Sequence, residues 1–198
     1  NAMSAPDSVP SPLSASTTAS HDVLIVGGGL VGASLAIALD RLGLDVGLLE
    51  AAPAGALPAV FDERNLSFAE ATVNALRALD VLPRLRMPAG AIARIHISRE
   101  GDFGRVLLNA ADYGRAAFGQ VVVARDFGDA LESKLAELSR LTRHRPARFT
   151  GFAEDGADGL RRARIADTDG ERLIAAKLVV AADGTASAVR DALGIAAE

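Results

Sequence analysis

The stretch His21-Asp-Val-Leu-Ile-Val-Gly27-Gly-Gly29-Leu-Val-Gly32-Ala-Ser-Leu-Ala decides the fold. Val23-Leu24-Ile25-Val26 is an apolar run of strand length, stopped by three consecutive glycines. A helical pattern opens directly behind them. The glycines fall as G-x-G-x-x-G, a weak signal alone that gains weight from its place between a strand and a helix. Gly27 permits a tight turn, Gly29 lets a pyrophosphate approach the backbone, and Gly32 lets helix and strand pack closely. The helix N-terminus then offers free N–H groups and a partial positive charge to phosphates.

Eighteen residues beyond Gly32, a second strand pattern ends in Leu48-Leu49-Glu50. A carboxylate there can accept from both hydroxyls of an adenosine ribose and repels a 2′-phosphate. A solvated glutamate at a strand end is the plain alternative, and the spacing to the glycines favours the first. Together they predict a site for an adenine dinucleotide. Val23 to Leu39 also runs 17 residues without a charge, and Gly28-x-x-x-Gly32 mimics a helix-dimer motif of membranes. Three glycines in a row argue against one continuous helix, so a membrane span is set aside.

The rest of the chain is ordinary for a globular domain: 198 residues, 49% hydrophobic and 23% charged, with 19 Gly and 8 Pro. This excludes disordered, collagen-like and coiled-coil classes. The absence of Cys removes disulfides, thiolate metal sites and cysteine nucleophiles together. His21, His96 and His144 show no metal-ligand spacing and receive no role. A net charge of −4 and 4% aromatics disfavour nucleic acid as a partner. Arg140, Arg143, His144, Arg145 and Arg148 cluster, with Arg161, Arg162 and Arg164 behind them, and read as a solvated helix end and an exposed strand face. Residues 1–20 hold six Ser, two Thr and three Pro, too little apolar surface to order a backbone, and are assigned to a disordered tail. No signal peptide is readable, and Asn1-Ala2 before Met3 looks like a tag-cleavage scar.

The remaining pattern places a strand at 22–26, a helix at 30–42 ended by Gly43, a strand at 45–50 and a helix at 67–80 ended by Pro83. Residues 91–124 alternate like strands, and a helix follows at 127–141. Strands at 147–153, 159–167 and 172–182 are separated by Asp155-Gly156 and Asp169-Gly170. A short helix closes the chain at 186–193, with Ser187 placed to cap it.

About 125 residues separate Glu50 from the next convincing core strand, Leu178-Val-Val-Ala-Ala182, which leads into Asp183-Gly184-Thr-Ala-Ser187-Ala-Val-Arg190. Here the sequence resembles the FAD-dependent aromatic-ring hydroxylases typified by p-hydroxybenzoate hydroxylase. Asp62-x-Arg64 before a helix is similar to the family's flavin-contacting arginine. Phe118-Gly-Gln120-Val-Val-Val-Ala-Arg125-Asp is similar to the segment entering the long helix along the flavin. The family order covers residues 22–196. Within it, His96-Ile-Ser-x-x-Gly101, Asn109-Ala-Ala-Asp112-Tyr113 and Gly119-Gln120-Val-Val look most like the ubiquinone-biosynthesis hydroxylases of the 2-octaprenyl-6-methoxyphenol hydroxylase type.

The resemblance implies an α/β fold: a Rossmann-like FAD-binding domain over 21–84 and 126–198, with an inserted, incomplete β-rich substrate subdomain at 85–125. It implies FAD held by Gly27, Gly29, Gly32, Glu50, Arg64, Gln120, Arg125 and Asp183, with NAD(P)H as co-substrate. It implies hydroxylation of a polyprenylated phenol by dioxygen, in the cytoplasm, with a peripheral contact to the membrane or to a quinone-biosynthesis complex. Plain readings stand beside each carried-over residue: Arg64 as a helix-entry charge paired with Asp62 or Glu63, Gln120 as a strand-end polar group, Arg125 as a surface residue, and Asp183-Gly184 as an ordinary turn. Family members run to about twice this length and carry a later Gly-Asp motif, so the chain reads as an N-terminal half, inactive alone. A flavin oxidoreductase of another substrate class and a non-catalytic dinucleotide-binding module remain open alternatives.

Overall fold

The computed structural model describes residues 17–101 and 103–196. Strand β1 (Thr17–Val26) runs into the glycine turn, helix α1 (Leu30–Arg41) follows, and strand β2 (Val46–Leu49) returns beside β1 in parallel. Gly43, at φ +79°, supplies the left-handed residue behind α1. Residues 17–20, assigned above to the tail, belong to β1. Ala19 and Ser20 pair in parallel with Ile174 and Ala175, whose ladder supplies the order that the local Ser/Thr composition lacks. Residues 1–16 lie outside the described residues.

Strand β3 (Asn65–Ala69) and helix α2 (Glu70–Ala78) replace the single helix expected at 67–80. Phe68 belongs to the strand, where it is buried opposite Gln120. Pro83 lies in a separate 3-10 turn, Leu82–Arg84, rather than at the helix end. Strands β4 (Gly90–Ala91), β5 (Arg94–Ile97), β6 (Val106–Asn109) and β7 (Gly119–Val123) follow. β7 pairs antiparallel with both β3 and β4, and β5 pairs with β6 as a hairpin.

Helix α3 (Ala124–Leu135) starts three residues earlier and stops sooner than the apolar spacing suggests. Leu138 continues the spacing past the helix end because it still packs on the same core. Strand β8 (Leu141–His144) then forms where the sequence suggested a solvated helix end. Strands β9 (Ala147–Phe152), β10 (Arg161–Asp167) and β11 (Gly170–Ala181) form an antiparallel meander, and helix α4 (Ala188–Ala192) follows.

The main sheet has the order β8-β2-β1-β11-β10-β9, parallel from β8 to β11. Alternation along β1 sends Val23 and Ile25 toward α1 and α3, where they meet Ile37, Phe127 and Leu131. Leu24 and Val26 face the other way, into a second core with Phe149, Ile165 and Ile174. The central strands are therefore covered on both faces, which accounts for their unbroken apolar sequence. The layout leaves the C-terminal ends of β1, β2 and β11 together at one rim, where open α/β sheets bind ligands. No helix among the described residues is long and apolar enough to cross a membrane.

Candidate functional site

A cleft of about 540 Å³ opens at that rim, within the usual range for small-molecule sites. It is lined by Gly27–Gly29, Glu50, Pro58 and Asp183, together with Ala147, Arg148 and Phe149 of β9. Each glycine is needed for a different reason. Gly27 has φ +106°, and a Cβ there would lie 2.4 Å from the Ala182 carbonyl oxygen. A Cβ on Gly32 would lie 1.8 Å from the Gly27 carbonyl oxygen, so α1 reaches the turn only without one. Gly29 differs: the nearest atom to its hypothetical Cβ is Val60 Cγ1 at 3.6 Å. A side chain would fit there at ordinary contact distance. No side chain caps α1, its first turn carries no acid, and its leading residues line the cleft, with the Glu50 carboxylate as the anion beside its positive end.

Glu50 lies across from this turn. One carboxylate oxygen accepts from the Gly28 N–H at 2.8 Å, and the other from the Ala52 N–H at 2.7 Å. Each oxygen keeps a lone pair for a further donor. The backbone of Glu50 is held as well: its N–H donates to the His144 carbonyl at 3.0 Å, and its carbonyl accepts from the Ala147 N–H at 2.9 Å. Asp183 lines the cleft, but its carboxylate is turned to its own helix, accepting from Ser187 Oγ at 2.6 Å and from the Val189 N–H at 3.3 Å. Ser187 Oγ in turn accepts from the Arg190 N–H at 3.0 Å, the expected cap.

The other residues singled out by the sequence gather elsewhere. The N–H groups of Ala124 and Arg125 both donate at 2.8 Å, to the Arg64 and Asp62 carbonyls, which brings Asp62–Arg64 to the start of α3. Arg64 pairs with Asp62 and Arg125 with Glu63, all four on the surface. Arg125 and Asp62 line a second cleft of about 510 Å³ that shares Pro58 with the first. Gln120 lines neither cleft; it is half-buried in β7 between Phe68 and Ala91.

Three features escaped sequence reasoning. Arg143 and Arg145, read above as solvated, are largely buried and clamp Glu132 of α3, with Arg143 Nη2 at 2.6 Å. Burial pushes the Glu132 carboxyl up, but the two guanidiniums outweigh it and hold it below its usual range. Arg148 and its β9 neighbours form a wall of the main cleft. His21 and His144, distant in sequence, meet with their Nε2 atoms 2.9 Å apart. No local signal marks these, because each needs a partner supplied by another element.

The family model described as an FAD binding domain matches residues 20–198. The chain belongs to that family. A ubiquinone hydroxylase, UbiL, of Rhodospirillum rubrum is 33% identical over 191 residues, covering 96% of this chain and 43% of that protein. The FAD-binding domain thus spans less than half the length of this curated relative. Among solved structures, p-nitrophenol 4-monooxygenase PnpA of Pseudomonas putida superposes with a TM-score of 0.73 at 22% identity, over 89% of this chain and 44% of that one. CabE, an aromatic hydroxylase from angucycline biosynthesis, gives 0.68 at 25% identity, over 88% and 33%. The mixed α/β architecture is that of a Rossmann-like FAD-binding domain.

Proposed function

We propose that the cleft at the ends of β1, β2 and β11 holds the ADP portion of FAD. The observation that carries this is the cleft beside Gly29, where the N-terminus of α1, which no side chain caps, meets the Glu50 carboxylate. The diphosphate would take the first-turn N–H groups of α1, which cost nothing to aim because the fold already fixes them. Glu50 would accept from the ribose hydroxyls and, as an anion, would disfavour a 2′-phosphate. Gly27 and Gly32 build the turn, and Asp183, which lines the same cleft, also holds α4 in place through Ser187.

The flavin end would extend toward Asp62–Arg64 and Arg125, which the backbone bonds of Ala124 and Arg125 bring to one place. Either arginine could exchange its exposed carboxylate partner for a phosphate or a ring carbonyl at little cost, since such surface pairs are weak. Gln120 enters as a residue toward the ring.

The whole protein is read as an FAD-dependent monooxygenase that hydroxylates the ring of a phenol, with dioxygen and NAD(P)H as co-substrates. When bound, the flavin supplies the redox chemistry; the residues described here bind and orient it and keep its adenosine end fixed. A polyprenylated phenol of quinone synthesis is the substrate class, supported by the similarity to UbiL at 33% identity and by the short matches around His96 and Asn109. A peripheral contact with a membrane or a quinone-biosynthesis assembly would follow from a substrate carrying such a tail.

The test is a fluorescence titration of the chain with FAD in competition with ADP. Displacement of FAD by ADP is expected if the adenosine end supplies the binding. FAD binding indifferent to ADP would reject the assignment of the cleft.

A further inference from the structure

Among the described residues, strand β8 lies at the edge of the main sheet and pairs with β2 alone, over Leu141–His144. A four-residue edge strand is a weak element by itself. His144 is its last residue, and its carbonyl accepts the Glu50 N–H. Its buried side chain reaches beneath β2 to the buried side chain of His21 on β1. The crossing is possible because β2 has Gly47 between them. A Cβ there would lie 2.5 Å from His21 Cδ2.

The donors and acceptors in this chain have one consistent order. Asp45, at the start of β2, can only accept, so His21 Nδ1 donates to it. His21 Nε2 is then an acceptor, and His144 Nε2–H donates to it. His144 Nδ1 is left as acceptor for Arg172 Nη2 of β11, at 3.4 Å. Arg172 is also bonded through Nε to Asp167 of β10 at 2.7 Å. Beyond these, Asp22 is paired with Lys177 next to His21. Any added proton faces another donor: on His21 Nε2 it meets the His144 N–H, and on His144 Nδ1 it meets the Arg172 guanidinium.

We propose that His21 and His144 form a proton-sensitive strap that positions Glu50 by tying the end of β8 to β1. With both imidazoles neutral the strap is closed, and the Glu50 backbone is gripped between His144 and Ala147. Protonation breaks the chain of bonds, frees β8 from the sheet edge and releases the N–H of Glu50. Burial, followed by the neighbouring His21 and the Arg172 guanidinium, holds His144 down to about 4, so the strap stays closed at neutral pH. Its consequence for cofactor retention rests on the FAD assignment above; the strap itself does not.

Amide hydrogen exchange of the chain without FAD, followed residue by residue from about pH 7.5 to about pH 5, tests this. After correction for intrinsic chemistry, protection of the Glu50 N–H should fall about thirtyfold, the ratio set by a histidine that titrates near 4 when closed and near 6.5 when open. Leu76 of α2, remote from the strap, should change by less than about threefold. His144→Gln, which can bond but not titrate here, should keep protection at the higher pH and lose its pH dependence. Imidazole nitrogen shifts of the unmodified chain provide a variant-free reading: the His144 ring should stay neutral, with its proton on Nε2, down to about pH 5.

Equal loss at Glu50 and Leu76 would overturn the proposal, as would wild-type pH dependence in His144→Gln or a His144 that titrates near 6.5. FAD affinity measured over the same range separates the two ideas. A strap that opens without effect on FAD contradicts the assignment of the cleft and leaves the strap standing.

Discussion

The Gly28 N–H donates to the Glu50 carboxylate at 2.8 Å, so the glycine turn after β1 and the acid at the end of β2 form one unit. A Cβ on Gly28 would lie 2.7 Å from that same carboxylate oxygen, which accounts for a fourth glycine beside the three of the motif. The acid is thereby fixed over the turn. Glu50→Ala should weaken FAD by roughly 1.5–3 kcal/mol, the loss of charge-assisted bonds, while the fold persists. Titration calorimetry beside circular dichroism checks both halves of that statement.

Gly29 and Gly32 should fail in opposite ways. A Cβ on Gly29 makes only an ordinary contact with Val60 Cγ1, so Gly29→Leu should fold and lose the dinucleotide. Gly32→Ala places a methyl against the Gly27 carbonyl, and should cost about 3 kcal/mol of stability through overpacking. Thermal melts and FAD titrations of both variants separate a ligand position from a packing position.

Arg64 and Asp62 form a surface pair, with side-chain exposures of 73% and 43%. Arg64→Ala should therefore change stability by less than about 0.5 kcal/mol. If the arginine serves the flavin, FAD affinity should nonetheless fall, and urea unfolding beside the titration reads the two effects separately.

Acid should destabilise the chain through His144. Its neutral form is favoured in the fold, with the proton affinity lowered from 6.5 to about 4. The unfolded state then binds more protons between those values, so stability is complete above about pH 6.5 and is lost as pH falls toward 4. The loss should reach about 3 kcal/mol by the lower end. Urea midpoints across that range should flatten in His144→Gln.

The glycine turn, α1, the acid ending β2 and the Ser187 cap were legible because each is written within a few adjacent residues. Phe68 was not, since its spacing to Val73 and Leu76 suits a helix while pairing with Gln120 makes it strand. β8 was hidden for a related reason. Leu-Thr-Arg-His has no apolar alternation, and its charges are compensated by Glu132 on α3 and its histidine by His21, 123 residues away. Residues 17–20 likewise take their order from β11 rather than from themselves. At the site, the contacts of Gly27 and Gly32 follow from the motif, whereas the grip of His144 and Ala147 on Glu50 exists only in three dimensions.

A crystal structure of this chain grown with FAD tests the central claim most directly. The account predicts the diphosphate within hydrogen-bond reach of the first N–H groups of α1, above Gly29, with the ribose hydroxyls on Glu50. An adenosine seated away from Glu50, or a diphosphate bound outside the Gly27–Gly29 turn, would contradict it.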